Sequence, residues 1–464
     1  MRALRNFLRL TIVFAGCAGV TAAFAGPCDV PSGSTLDDAA KIQFNCSSSR
    51  PLKDLPAGDQ EFKVHYDFPV TVPTIDAPWR SIDPSSHPEQ YLRALLEYGI
   101  RDNVAVDWRL EQSPGAHWCH APWFHDGRER IHGMTRERGS RVRELGELQL
   151  SRAENWAVGF YNPVGCFALG QVWKDPARPK TKDFVFPADS FSIKLLFTTA
   201  PLIEVPYLTG SKSWNAAIGN DGSVRPMRLL QVDVAVKDPR AGPTGWVFGT
   251  FIYDAYAPGE DVWAKLVPVG LMWGNDPDLT LKRYEEEGGT PRQSWVNPDV
   301  AAKFVALPRH HLGLFGRLNG PVDNFKSACL ACHGRALDWG RGIPADPADK
   351  ITLEANRLLP IAINPTDEAA LRMYFRNLQP TDPFVAGTQS LDFSLQLAGG
   401  IFNFRRWIDQ NFPASGPETR DVMPYVFDSE KPGQPAVERS LSTAVPLERD
   451  ISGQQVYSPF TRGD

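Results

Sequence analysis

The chain has 464 residues, of which 42% are hydrophobic and 22% charged, and a formal net charge of −5. That length suits two or three domains with real cores, and the mildly acidic balance argues against a general polyanion binder. The 40 prolines and 38 glycines favour strands and turns over a helical bundle.

At the amino terminus Arg2, Arg5 and Arg9 precede an apolar run from Leu10 to Ala25, which ends in Ala23-Phe24-Ala25 before Gly26. A basic segment, an apolar segment and a small-residue end are the pattern of a secretory signal peptide, so residues 1–25 are expected to leave on export to the periplasm. A membrane anchor is the rival, disfavoured by the short run and by Gly16, Gly19 and Thr21 within it. Phe14-Ala15-Gly16-Cys17 leaves a lipoprotein beginning at Cys17 open. No later segment is apolar enough to span a bilayer.

Residues 26–80 read as turns. A helix is expected over Pro88–Tyr98, entered through Ser86 or His87 and ended by Gly99, with Leu92, Leu95 and Leu96 facing a core. From about 104 to 275 the pattern has period two: Phe191, Ile193, Leu195 and Phe197 alternate with Ser192, Lys194, Leu196 and Thr198. Leu230, Val232, Val234 and Val236 alternate with Gln231, Asp233, Ala235 and Lys237, and Trp246–Tyr253 and Leu266–Trp273 read similarly. These predict a mostly antiparallel sheet or sandwich. Residues 276–300 look like a linker or surface insertion. Helices are expected over Asp367–Leu378, capped by Thr366, and over Ser390–Gln410, weakened at Gly399-Gly400. From Ser429 the tail is polar and proline-punctuated.

Chemistry concentrates in Cys329-Leu330-Ala331-Cys332-His333. Two thiols on one tight turn reach both vinyl groups along a porphyrin edge, and the adjacent histidine then lies where its imidazole ligates the iron. A zinc site would want a second close cysteine pair, which the chain lacks. On this motif the sequence resembles the bacterial exported mono-haem c-type cytochromes. The strings WCHAPW (118–123), GMTRER (133–138), NWAVGFYNP (155–163), GWVFGTF (245–251) and RLNGPVDN (317–324) are similar to bacterial proteins grouped simply as cytochrome c family.

The resemblance implies one covalent haem c per chain, held by Cys329 and Cys332, with His333 as proximal iron ligand. It also implies a methionine as sixth ligand, from a loop beyond the motif. Met423-Pro424 fits first, Met373 second, and His310 with His311 would give a bis-histidine iron. An oxidising compartment makes disulfides expected among Cys28, Cys46, Cys119 and Cys166. The pairing Cys28–Cys46 with Cys119–Cys166 is favoured among three.

Two clusters remain. Arg128, Arg130, Arg136, Arg138, Arg141 and Arg143 lie among Glu129, Glu137 and Glu144. They suit a salt-bridged surface first, and recognition of haem propionates or an anionic substrate second. His117, Cys119, His120, His125 and His132 suit a second metal, or an aromatic loop whose histidines only hydrogen-bond, the latter favoured by Trp118, Pro122 and Trp123.

The expected architecture is therefore mixed and multidomain. A β-rich, antiparallel, sandwich-like domain over 26–300 precedes a mainly helical or irregular haem c domain over 301–428 and an extended tail over 429–464. The expected function is electron transfer through haem c with a redox partner protein or small-molecule substrate, the β-domain serving as partner-binding or catalytic module. The alternatives are a peroxidase-like haem oxidoreductase with an open sixth position and a haem-based ligand-binding or sensing protein.

Overall fold

The alternating stretch folds into one antiparallel sheet. The structure, a computed structural model, describes residues 28–113, 117–300, 312–340 and 365–412, with two short strands at 447–449 and 455–457 that pair with each other. Eight strands build the sheet: β1 (Thr135–Arg136), β2 (Asn155–Tyr161), β3 (Phe191–Thr198), β4 (Ser213–Ala216), β5 (Arg225–Lys237), β6 (Trp246–Tyr253), β7 (Leu266–Met272) and β8 (Ser294–Val296). Their order is β1-β2-β3-β5-β6-β7-β8, with β4 also paired to β5, and every pairing is antiparallel. The expected strands at 191–198 and 246–253 have those bounds. The stretch expected to be a linker supplies β8, the last strand in that order.

One face is apolar. Phe191, Ile193, Leu195 and Phe197 of β3 stand across from Val232, Val234 and Val236 and nearby positions of β5, all buried. Helix α2 (Pro88–Arg101) lies against this face. Gly99 does not end the helix as expected; α2 continues through it to Arg101. A Cβ at Gly99 would stand 2.8 Å from Ile193 Cδ1 and 3.2 Å from Phe191 Cζ, so the glycine permits close packing on β3. That contact outweighs the ~1 kcal/mol by which glycine disfavours a helix.

Three helices escaped the sequence reading. α1 (Leu36–Asn45) starts where the Thr35 side chain accepts from the Asp38 N–H. α3 (Pro163–Val172) starts at Asn162, whose Oδ1 accepts from Gly165 N at 2.9 Å and from Phe191 N at 3.0 Å. α4 (Leu281–Glu285) is a short helix just before β8.

The polar phase of the strands is covered too. On it lie the segment around α5 (Cys329–His333), which meets Phe248 and Met272, and the start of α7 (Leu395–Asn411), whose Gln396 lies over Gly159, while α6 (Glu368–Tyr374) packs on the attachment segment through the Tyr374–Ser327 hydrogen bond. α6 is capped by Asp367, which accepts from Ala370 N, and α7 by Ser394, which accepts from Leu397 N at 3.0 Å. Side chains of the sheet and of 312–340 and 365–412 belong to a single buried apolar cluster. One guanidinium ties the attachment segment to the turn after β7. Buried Arg317 donates to the carbonyls of Asn275 (2.8 Å), Asp276 (2.8 Å), Leu279 (2.9 Å) and Leu314 (3.0 Å), and stacks 4.1 Å from the Phe375 ring centroid. Burial lowers its pKa to about 10. Among the described residues, no helix is long and apolar enough to cross a membrane.

Gly400, inside α7, meets the loop carrying Pro122: a Cβ there would lie 2.7 Å from the Pro122 carbonyl oxygen. Helix propensity alone would make Gly400→Ala stabilising by about 1 kcal/mol. Overpacking costs about 1–3 kcal/mol and should win. Urea denaturation is expected to show net destabilisation; a gain would mean that the loop yields.

Candidate functional site

Cys329 and Cys332 lie on the single turn of α5, closed by Cys332 N on the Ala328 carbonyl (2.9 Å) and Gly334 N on that of Leu330 (2.8 Å). They are the free thiols among the described residues, and both are half-buried. The other four described cysteines pair as Cys28–Cys46 and Cys119–Cys166. Burial, with the Asp323 and Asp233 carboxylates nearby, pushes the Cys329 thiol far up; burial also raises Cys332.

His333 is held from one side. Its Nδ1 lies 2.9 Å from the Phe393 carbonyl oxygen. A carbonyl can only accept, so Nδ1 carries the proton and the Nε2 lone pair remains available. Burial lowers the His333 pKa to about 4, which keeps the ring neutral at neutral pH. Its ring packs 4.6 Å from that of Phe248 on β6. The chain reaches Phe393 by a short pairing of β9 (Leu337–Asp338) with β10 (Gln389–Ser390), extended by Leu391 N on the Ala336 carbonyl at 2.9 Å. A bidentate Arg405 locks Asp338, with Nε at 2.9 Å and Nη2 at 2.7 Å.

The sheet forms the opposing wall. Register puts Ser192, Ala235 and Phe248 in one row and Lys194, Asp233 and Thr250 in the next. Rows two residues apart are separated by about 7 Å. The first row meets the attachment turn through Phe248, and from β7 Met272 Sδ accepts from Leu330 N at 3.5 Å. In the second, Lys194 Nζ pairs with Asp233 at 3.0 Å, and Thr250 Oγ1 and Gln231 Nε2 each donate to Asp233 at 2.7 Å. The Lys194 and Asp233 side chains remain 28% and 23% exposed, in the middle of a sheet whose other face is closed. Against desolvation that would lower it, Asp233, Glu137 and Asp323 hold the Lys194 pKa well up, and burial raises that of Asp323.

The sixth-ligand candidates divide. Met423, His310 and His311 lie outside the described residues, as do Cys17 and residues 1–25. Met373 sits on α6 with 41% of its surface exposed, while Leu371 and Tyr374 face inward.

The histidine cluster does not converge; among the described residues no three His, Cys, Asp or Glu side chains are placed to share a metal. His120 Nδ1 accepts from His65 N at 3.0 Å, and His132 stacks 4.1 Å from Trp214. His117 pairs with Asp67 at 2.6 Å. The loop is an aromatic packing element: Trp123 lies 5.2 Å from Trp407 and 5.0 Å from Phe404 of α7, and its carbonyl accepts from Asn403 at 2.8 Å.

The arginine cluster is only partly a surface. Arg138 bridges Glu144 in bidentate fashion at 3.0 and 2.8 Å, and its Nε donates to the Val322 carbonyl at 2.8 Å, tying the segment just after β1 to the approach to α5. Arg128 is buried over the Phe62 and Phe124 rings, and Glu129 is buried among the N–H groups of Ile131, His132, Met134 and Ala217.

Sequence reasoning missed Phe393, Phe248, Met272 and the Lys194–Asp233 row. Their one legible signal was that the polar phase of β3 and β5 also carries Leu196 and Ala235, which a solvent-facing phase has no need of.

His132 generates a pH dependence. Burial holds its pKa near 3, below the ordinary 6.5. The unfolded chain therefore binds a proton that the folded chain refuses, and stability is lost as pH falls from about 6.5 towards 3, by up to about 1.4 kcal/mol per pH unit. His132→Phe keeps the stack on Trp214 and should move the acid-unfolding midpoint, followed by circular dichroism, to lower pH. An unchanged midpoint would count against this origin.

No family model, curated protein or solved structure matches the chain.

Proposed function

We propose that the protein is an exported c-type cytochrome that binds one haem c through Cys329 and Cys332 and carries electrons to or from a partner. The observation that supports this most is the state of His333. Its Nδ1–H is engaged by a backbone carbonyl, its Nε2 is free for a metal, and two unpaired thiols precede it on the same turn. A histidine fixed through its outer nitrogen is the arrangement expected of a metal ligand.

The residues present fit a haem. Cys329 and Cys332 would hold the macrocycle's edge, His333 the iron, and Phe248 and Met272 supply apolar wall. Haem c, when bound, supplies a one-electron ferric–ferrous couple. The chain's own part is to fix the imidazole tautomer, exclude water on the Phe248 side, and leave the partly exposed Lys194 and Asp233 side chains within reach of solvent or a small molecule. Export through residues 1–25 to the periplasm, or as a lipoprotein through Cys17, belongs to the same reading, as does Met423 as sixth ligand.

A second reading is a haem-dependent oxidoreductase that binds a small substrate at an open iron position. The half-open polar row beside the attachment turn favours it, since Lys194, Asp233 and Thr250 can order a polar ligand or relay a proton.

Expressed with a haem-attachment system, the protein should keep its colour through denaturing extraction, and Cys329→Ser with Cys332→Ser should lose it. A colourless unmutated product would end the proposal. Met423→Ala should turn a low-spin ferric spectrum high-spin and lower the reduction potential. A parent already high-spin that binds carbon monoxide readily would favour the oxidoreductase.

A further inference from the structure

The carbonyl that holds His333 belongs to a residue in an unusual conformation. Phe393 has φ 65° and Asp392, just before it, φ 46°. A bulky side chain in the left-handed region is disfavoured, and two in succession persist only where the surroundings impose them. The Asp392 carboxylate is fully buried and saturated with donors. Lys237 Nζ reaches its Oδ1 at 2.7 Å and its Oδ2 at 2.9 Å. Trp246 Nε1 donates to Oδ1 at 2.7 Å, and the Phe186 N–H to Oδ2 at 2.8 Å. Lys237 and Trp246 are register partners on β5 and β6, so the clamp is anchored in the sheet.

We propose that Asp392, gripped by Lys237 and Trp246, is the positioning residue that keeps the Phe393 carbonyl on Nδ1 of His333 and thereby sets the donor strength of the iron's proximal ligand. The inference rests on the covalent-haem reading and deepens it. A firmly placed acceptor draws the Nδ1 proton, makes the imidazole a stronger donor and favours ferric iron. When the grip loosens, Phe393 relaxes towards an ordinary conformation, the hydrogen bond lengthens, and the ferrous form gains. Serving only to stabilise the fold, the ion pair would leave the iron indifferent to it.

The test is the midpoint potential of full-length, haem-loaded protein by spectroelectrochemical titration, with the proton resonance of the His333 Nδ1–H in the ferrous form as a second readout. Asp392→Asn removes a negative charge and Lys237→Met a positive one, so direct charge effects on the iron predict shifts of opposite sign. Positioning predicts that both raise the potential, by about tenfold in the equilibrium constant for reduction, and move the His333 Nδ1–H resonance upfield as its hydrogen bond lengthens. Trp246→Phe changes no charge and should shift the potential the same way by less, whereas Lys237→Arg should stay near the parent. Opposite signs for Asp392→Asn and Lys237→Met, or unshifted potentials in variants that retain haem, would overturn the clamp. Should the two ion-pair variants fail to fold, Trp246→Phe decides, and a parent-like potential there overturns it. Loss of haem from the unmutated protein on denaturing extraction would instead defeat the covalent-haem reading, and the clamp with it.

Discussion

Covering the polar face of the sheet is the constraint on which the remaining structure depends. Strands β3, β5 and β6 put Lys194, Asp233, Thr250, Lys237 and Gln231 on the side that meets the attachment segment. Burying such groups unpaired would cost several kcal/mol each, so cover is possible only if every charge finds a partner. Asp233 answers Lys194 within the sheet, and Asp392 answers Lys237 from the covering segment. Of the two, only the Lys237–Asp392 pair joins the sheet to the covering segment, which docks where that carboxylate meets that ammonium.

The same economy explains the glycines and the disulfides. Gly99 and Gly400 stand inside helices, where Ile193 and the Pro122 carbonyl would meet any side chain. Cys119–Cys166 ties the aromatic loop to α3, and Trp123 passes that anchorage on to α7. Layers far apart in sequence thus share one apolar cluster, and the placement of His333 depends on a contact sixty residues downstream.

The strands were legible because period two is written directly into 191–198 and 230–237, and the cysteine–histidine motif because its chemistry is local. Helix boundaries were misjudged where glycine served packing. Gly99 read as a terminator because sequence shows its conformational freedom and hides Ile193 above it. α1 and α3 were missed because their starts depend on single side-chain caps, Thr35 and Asn162, in proline-punctuated surroundings. What covers the polar phase of the strands was not legible, since alternation states how residues sort between faces and is silent on what covers the second. Phe393 left no trace in the sequence because its contribution is a main-chain carbonyl, which every residue possesses.

Arg317 carries that last point into heredity. All four of its acceptors among the described residues are backbone oxygens, at Asn275, Asp276, Leu279 and Leu314. No exchange of side chain at those positions removes an acceptor, so the joint between the turn after β7 and the attachment segment is robust to point mutation on its receiving side. Its whole genetic risk falls on one codon, where even lysine, with no planar fork to spread over separate carbonyls, would fail to replace what is there.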